Sequence, residues 1–134
     1  MIKLCFCLKR LPHLSRAEFQ AYWRETHAPL VAARAEALGI RRYVQVHTID
    51  DERLAGIAAV RGSQGQDYDG IAELWFDSAD ALAAQPTPEG QKAGLELLED
   101  ERNFIDLPNS PIFFAQENER RSRRRRRRLR GRGR

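Results

Sequence analysis

His27, Tyr43 and His47 are the residues of this 134-residue chain whose types and spacing suit proton transfer. An imidazole titrates near neutral pH. It can take a proton from an acidic phenol, or from a carbon beside a carbonyl, and leave an electron-rich anion. Such an anion can react with oxygen, lose carboxylate or water, or cyclise. His27 is the candidate base. In the stretch RYVQVH, Tyr43, Gln45 and His47 alternate with valines, so a phenol, an amide and an imidazole share one strand face, which is either a cavity wall that positions substrate oxygens or the solvent-exposed face common in antiparallel sheets. Glu73 and Asp106 are further polar candidates, and Trp23 and Trp75 are candidate apolar walls, although core packing accounts for either indole without a ligand. Trp75 becomes a flat wall for an aromatic ligand if its face is the one carrying Tyr43 and His47.

The sequence contains no glycine-rich phosphate loop, no Cys-x-x-Cys and no histidine-rich ligand spacing, so neither a metal nor a nucleotide cofactor is expected. Cys5-x-Cys7 has the softness to hold a metal, but two buried strand thiols explain the pair. Their side chains point the same way along a strand, which would strain a disulfide, so reduced thiols and a cytoplasmic location are expected. The opening MIKLCFCLKR is too short and too quickly charged for a secretory segment, and no run approaches a membrane span.

The elements that must position these groups are written in the same residues. Ser15 and Glu18 have capping-box spacing, and Leu14 and Phe19 stand where a hydrophobic staple belongs. Phe19, Tyr22, Trp23 and Leu30 then form an apolar face. Pro29 predicts that this helix stops near Thr26 or His27 and that a second one runs on to Gly39, which pins His27 at an elbow. There the ring either serves chemistry or satisfies the bent backbone.

Ile2, Leu4, Phe6 and Leu8 mark a first strand, RYVQVH a second, GIAELWF a third and PIFFAQ a last. The valines of the second strand are expected to cover a helix. Residues 49–69 carry little periodicity and predict a long mobile loop, a lid being one use for it, with LAGIAAV inside it as a short piece that is either helical or extended. Ser78 caps a short helix ending at Pro86. Thr87 and Pro88 start a longer one, with Leu95, Leu98 and Phe104 as its expected buried side. The order is β-α-β-β-α-β, an α+β ferredoxin-like unit: a four-stranded antiparallel sheet with helices on one face. Its bare face invites a second copy of the same sheet.

The segments LKRLPHLSRAEFQAYWRETHAPLV, RRYVQVH, YDGIAELWFDS and EGQKAGLELLEDERNFID, in this order, resemble the EthD family of small dimeric α/β-barrel proteins. The resemblance spans nearly everything from Lys3 to Glu117. It implies a homodimeric barrel with a hydrophobic pocket between sheet and helices. It also implies links to ether degradation, to the tailoring of aromatic polyketides and to cofactor-free oxidoreductase or monooxygenase-like chemistry. The family's YW-x-x-x-H-x-P element falls on Tyr22, Trp23, His27 and Pro29, and its strand tyrosine and histidine fall on Tyr43 and His47. The chain departs from the pattern in the insertion before Tyr68 and in its arginine tail.

Two functions from different classes follow. One is an enzyme working on a hydrophobic or aromatic small molecule with His27, Tyr43 and His47 as catalytic groups, and Tyr22, Trp23, Gln45, Glu73, Trp75 and Asp106 as binding groups. The other is a non-catalytic binding or accessory protein that uses the same pocket. The charge adds a third possibility. The net +4 is a composite, because residues 120–134 hold 11 arginines and no acid, whereas residues 1–119 hold 12 basic and 19 acidic residues. The expected division is a domain over 1–119 and a disordered tail over 120–134, whose polyanion binding would be nonspecific and steeply salt-dependent.

Overall fold

The computed structural model describes residues 1–63 and 67–123, so most of the arginine tail lies outside the described residues. Four strands form one antiparallel sheet in the order β2-β3-β1-β4, where β1 is Ile2–Leu8, β2 Arg42–His47, β3 Gly70–Phe76 and β4 Ile112–Ala115. This is the expected α+β arrangement, with helices packed on one face of the sheet.

The register decides which side chains meet those helices. Leu4 pairs with Leu74 and Phe114, Phe6 with Ala72 and Ile112, and Tyr43 with Leu74. The period of two therefore sends Tyr43, Gln45 and His47 toward the helices, together with the even-numbered residues of β1. Val44 and Val46 point to the open face, the reverse of the expectation that the valines cover a helix. The face carrying the polar groups of β2 won because Trp23 supplies them with an indole to pack on and a carbonyl to bond.

The first helical element begins as the sequence dictates. The Ser15 hydroxyl accepts from the Glu18 amide, and the Glu18 carboxylate accepts from the Ser15 amide. α1 runs over Arg16–Tyr22 and does not stop near His27 as expected. It passes through a π-helical turn, Trp23–His27, directly into α2, Ala28–Leu38. Pro29 has no N–H and its ring crowds the carbonyl four residues back, and the wider turn relieves both problems without breaking the axis. The Ala28 amide accordingly bonds to the Trp23 carbonyl, five residues back. Gly39 closes α2 at φ 72°, a left-handed conformation that glycine adopts without cost.

Between β2 and β3 the chain is not irregular throughout its described residues. It holds a 3-10 turn at Glu52–Leu54 and a short helix α3 at Ala55–Ala59. The segment is tied back at Asp69, whose buried carboxylate takes hydrogen bonds from the Arg10 amide at 2.8 Å and from the Arg10 and Arg16 guanidinium groups at 2.5 and 3.1 Å.

α4 spans Ala79–Ala83 and α5 spans Pro88–Glu101, each capped by the expected hydroxyl, Ser78 and Thr87. The buried stripe of α5 is Gly90, Ala93 and Leu97 rather than Leu95, which is 62% exposed, while Phe104 is fully buried as expected. Phe6, Leu8, Phe19, Trp23 and Phe104 make the centre of the core between sheet and helices.

Candidate functional site

The π turn rotates His27 inward, so that only 6% of it is exposed, and sets its ring 5.0 Å from that of Phe104. Its Nδ1 lies 2.7 Å from Oδ2 of Asp100, in the last turn of α5. The other oxygen of Asp100 accepts from the Tyr22 hydroxyl at 2.6 Å. Burial would raise the Asp100 carboxyl, but the bonds from Tyr22 and His27 outweigh it and hold the group below its ordinary value. An ionised Asp100 keeps the proton of neutral His27 on Nδ1 and leaves Nε2 as the basic nitrogen. Burial lowers the His27 imidazole below its usual value even against the opposing pull of Asp100.

His27 opens onto a cavity of about 160 Å³ between the sheet and the helices. Its walls are aliphatic and aromatic: Phe6, Trp23, Val31, Leu74, Leu97 and Ile105 among them. Three groups in the lining titrate, namely His27, Tyr43 and Glu101. Burial raises the Tyr43 phenol, partly offset by hydrogen bonds from Gln45 and Trp23. Gln45 Nε2 donates to the Tyr43 oxygen at 2.8 Å and to the Trp23 carbonyl at 3.0 Å. With its oxygen accepting, Tyr43 has its own O–H to offer a ligand. Burial first, and the neighbouring Asp100 charge second, push the Glu101 carboxyl up to about 7.

Of the nine residues expected at the site, three line the cavity: Trp23, His27 and Tyr43. Two stand directly behind it, Tyr22 holding Asp100 and Gln45 holding Tyr43. His47 is on the same sheet face but outside the cavity lining, its ring centroid 4.5 Å from that of Trp23. Its Nε2 meets the Gln45 carbonyl oxygen at 2.9 Å, and its buried Nδ1 has no partner among the described residues. His47 thus lies one layer away from the cavity, against Trp23 and Gln45.

Glu73 and Trp75 fall on the opposite face of the sheet, because odd-numbered residues of β3 pair with Cys5 and Lys3. There Glu73 pairs with Lys3 at 3.4 Å, and Trp75 is covered by the Arg42 guanidinium, 4.5 Å from the ring centroid, with its N–H given to Glu117. Asp106 is also outside the cavity, bonding Asn109 at 2.9 Å in the turn before β4. The cavity that His27 lines thus lies between the sheet and the helices of the chain, where the resemblance placed a pocket.

Asp100 and Glu101 were not found by the sequence reading. Their signal was the α5 stripe: Gly90, Ala93 and Leu97 continue at Glu101, which makes Glu101 an acid on an apolar face.

An α+β domain with a helix-covered apolar cavity and a His–Asp pair at its wall is the class that these features define. The EthD domain profile matches residues 11–108, and the chain belongs to that family. No curated protein matches it. Among solved structures, it is similar to an ethyl tert-butyl ether d (EthD) family protein from Bacillus halodurans C-125, at 20% identity and a TM-score of 0.56, over 88% of this chain and 99% of that one. It is also similar to an EthD-like protein from Ralstonia eutropha JMP134, at 17% identity and a TM-score of 0.56, over 90% of this chain and 95% of that one. At these identities the likeness concerns the fold.

Proposed function

We propose that this EthD-domain protein is an enzyme in which His27, oriented by Asp100, removes a proton from a small hydrophobic molecule held in the cavity. The observation that carries this reading is the 2.7 Å contact between His27 Nδ1 and Asp100, made by a histidine whose ring also lines the cavity. A buried histidine serving only the bent backbone would bond to a carbonyl; this one bonds to a carboxylate that Tyr22 also holds in place.

Volume narrows the substrate. A dry cavity of about 150 Å³ takes one benzene ring, so about 160 Å³ suits a single ring with a short substituent rather than a fused polyketide. The Bacillus halodurans protein carries ethyl tert-butyl ether in its name. That ether has no acidic proton for a histidine to take, whereas a phenol or an enolisable ketone has one. The resulting anion is the shared entry to oxidative or ring-tailoring chemistry.

The test is turnover of single-ring phenols and ketones by the purified protein. His27→Ala should lower kcat/KM by roughly 10²-fold or more while circular dichroism shows the fold retained, at a melting temperature lowered by the lost contact with Asp100. Binding that survives His27→Ala, with no product from either protein, would instead establish a binding protein. We further infer that the chain assembles as a homodimer, supported by the exposed edge strand β4, on which Ile112, Phe113 and Phe114 are each about half exposed.

A further inference from the structure

Two acids stand side by side at the C-terminal end of α5, and the fold treats them in opposite ways. Asp100 turns toward Tyr22 and His27, which engage both of its oxygens. Glu101 continues the buried stripe of α5 and lines the cavity with His27 and Tyr43. Half-buried at the cavity wall, its carboxyl has no hydrogen-bond partner among the described residues.

Three effects favour the uncharged acid there: loss of water, the adjacent Asp100 charge, and the carbonyl end of the helix. The titratable groups facing it are His27 from the π turn, Tyr43 from β2 and Asp100 from its own helix, while Tyr22 of α1 reaches Asp100. Among the described residues, no lysine or arginine lines the cavity to draw the carboxyl back to its ionised form. Neighbouring carboxyls pushed apart in this way are how a site separates its acid from the group that supports its base.

We propose that Glu101 is the catalytic acid of this site, giving its proton to a substrate carbonyl oxygen while His27 takes a proton from the adjacent carbon. This rests on the reading of His27 as the base. The C–H bond breaks and its electron pair becomes the new C=C bond. The carbonyl π pair moves to oxygen, which takes the Glu101 proton. The products are an enol, a His27 imidazolium and a Glu101 carboxylate, and reversal regenerates the ketone with a hydrogen drawn from solvent. Tyr43 donates a second hydrogen bond to the same oxygen. The substrate class is a neutral ketone of single-ring size, since an anionic ligand would find no cation among the described residues of this apolar lining.

The experiment follows deuterium entry into the α-carbon of phenylacetone by NMR in heavy water, for the full-length wild type, His27→Ala, Glu101→Gln and Glu101→Asp, across about pH 5 to 9. The wild-type rate should rise as His27 loses its proton, below its ordinary 6.5, and fall as Glu101 loses its own at about 7. His27→Ala should abolish exchange. Glu101→Gln should slow it by roughly 10²-fold and flatten the alkaline limb, while Glu101→Asp, which can still titrate, should restore that limb at a reduced rate. The infrared band of a protonated carboxyl, present in wild type at neutral pH, should vanish in Glu101→Gln.

Exchange lost in His27→Ala but unchanged in rate and pH profile in Glu101→Gln would overturn the role of Glu101 and leave His27 standing. Exchange unaffected by His27→Ala would overturn the base itself. No exchange by wild type would overturn the pair.

Discussion

Asp100 makes two bonds that decide what His27 can do, and removing its charge separates position from basicity. Asp100→Asn keeps the shape but loses the anion that raises the imidazole. The acid limb of the exchange profile should therefore move to lower pH while the rate falls by roughly 10²- to 10⁴-fold, which initial rates across pH would measure. Glu101 makes a thermodynamic prediction as well. Its folded value, about 7, lies above the ordinary 4.5, so the folded state binds a proton that the unfolded chain gives up. The stability it contributes is complete below 4.5 and is lost as pH rises through about 7, a difference of roughly 3 kcal/mol. Urea melts of wild type and Glu101→Gln should diverge across that window, with the variant more stable at pH 8 and less active. His27 and Asp100 act on the other side: both are held below their ordinary values, so each weakens the fold as pH falls. His27, Tyr43 and Trp23 were legible from type and spacing alone. Glu101 was not, because an acid in a sequence reads as solvated until the neighbouring helix face is known to be buried.

Elements place these residues within tolerances that single atoms can upset. Gly70 opens β3 opposite His47, and a methyl group there would run into the Trp23 indole and the Val46 carbonyl. Both neighbours are fixed, one by the core and one by the sheet, so Gly70→Ala should cost on the order of 1–3 kcal/mol. Because Trp23 walls the cavity, the variant should also bind single-ring ligands more weakly than its melting temperature alone would suggest, a comparison that calorimetry can make. Strand positions, caps and the Gly39 stop were all legible, since each rests on local chemistry. The continuous path through His27 was not: Pro29 forbids an ordinary α-helical bond, and only packing of Trp23 and His27 into one core selects a wider turn over a break. Which face of β2 meets the helices was equally hidden, because a period of two fixes alternation but not direction.

At the scale of the molecule, His27, Tyr43, Asp100 and Glu101 of one chain meet between its sheet and its helices. Yet Ile112, on the edge strand, is the one lining residue exposed on the outside, at 52%. Beside it Phe113 points to the open face of the sheet, paired across from Cys5, and is 51% exposed. A second copy covering β4 would hide both residues, joining assembly to access at the rim of the cavity. Phe113→Asp places a charge on the open face of the sheet without touching the helix side, so it should give single chains by sedimentation at micromolar concentration, where the proposed assembly predicts pairs for wild type. The His27–Asp100 pair is untouched by that change, so the variant should keep its exchange chemistry but admit ligand faster, as stopped-flow binding would show. A wild type that sediments as single chains would remove the assembly and leave the cavity as it is.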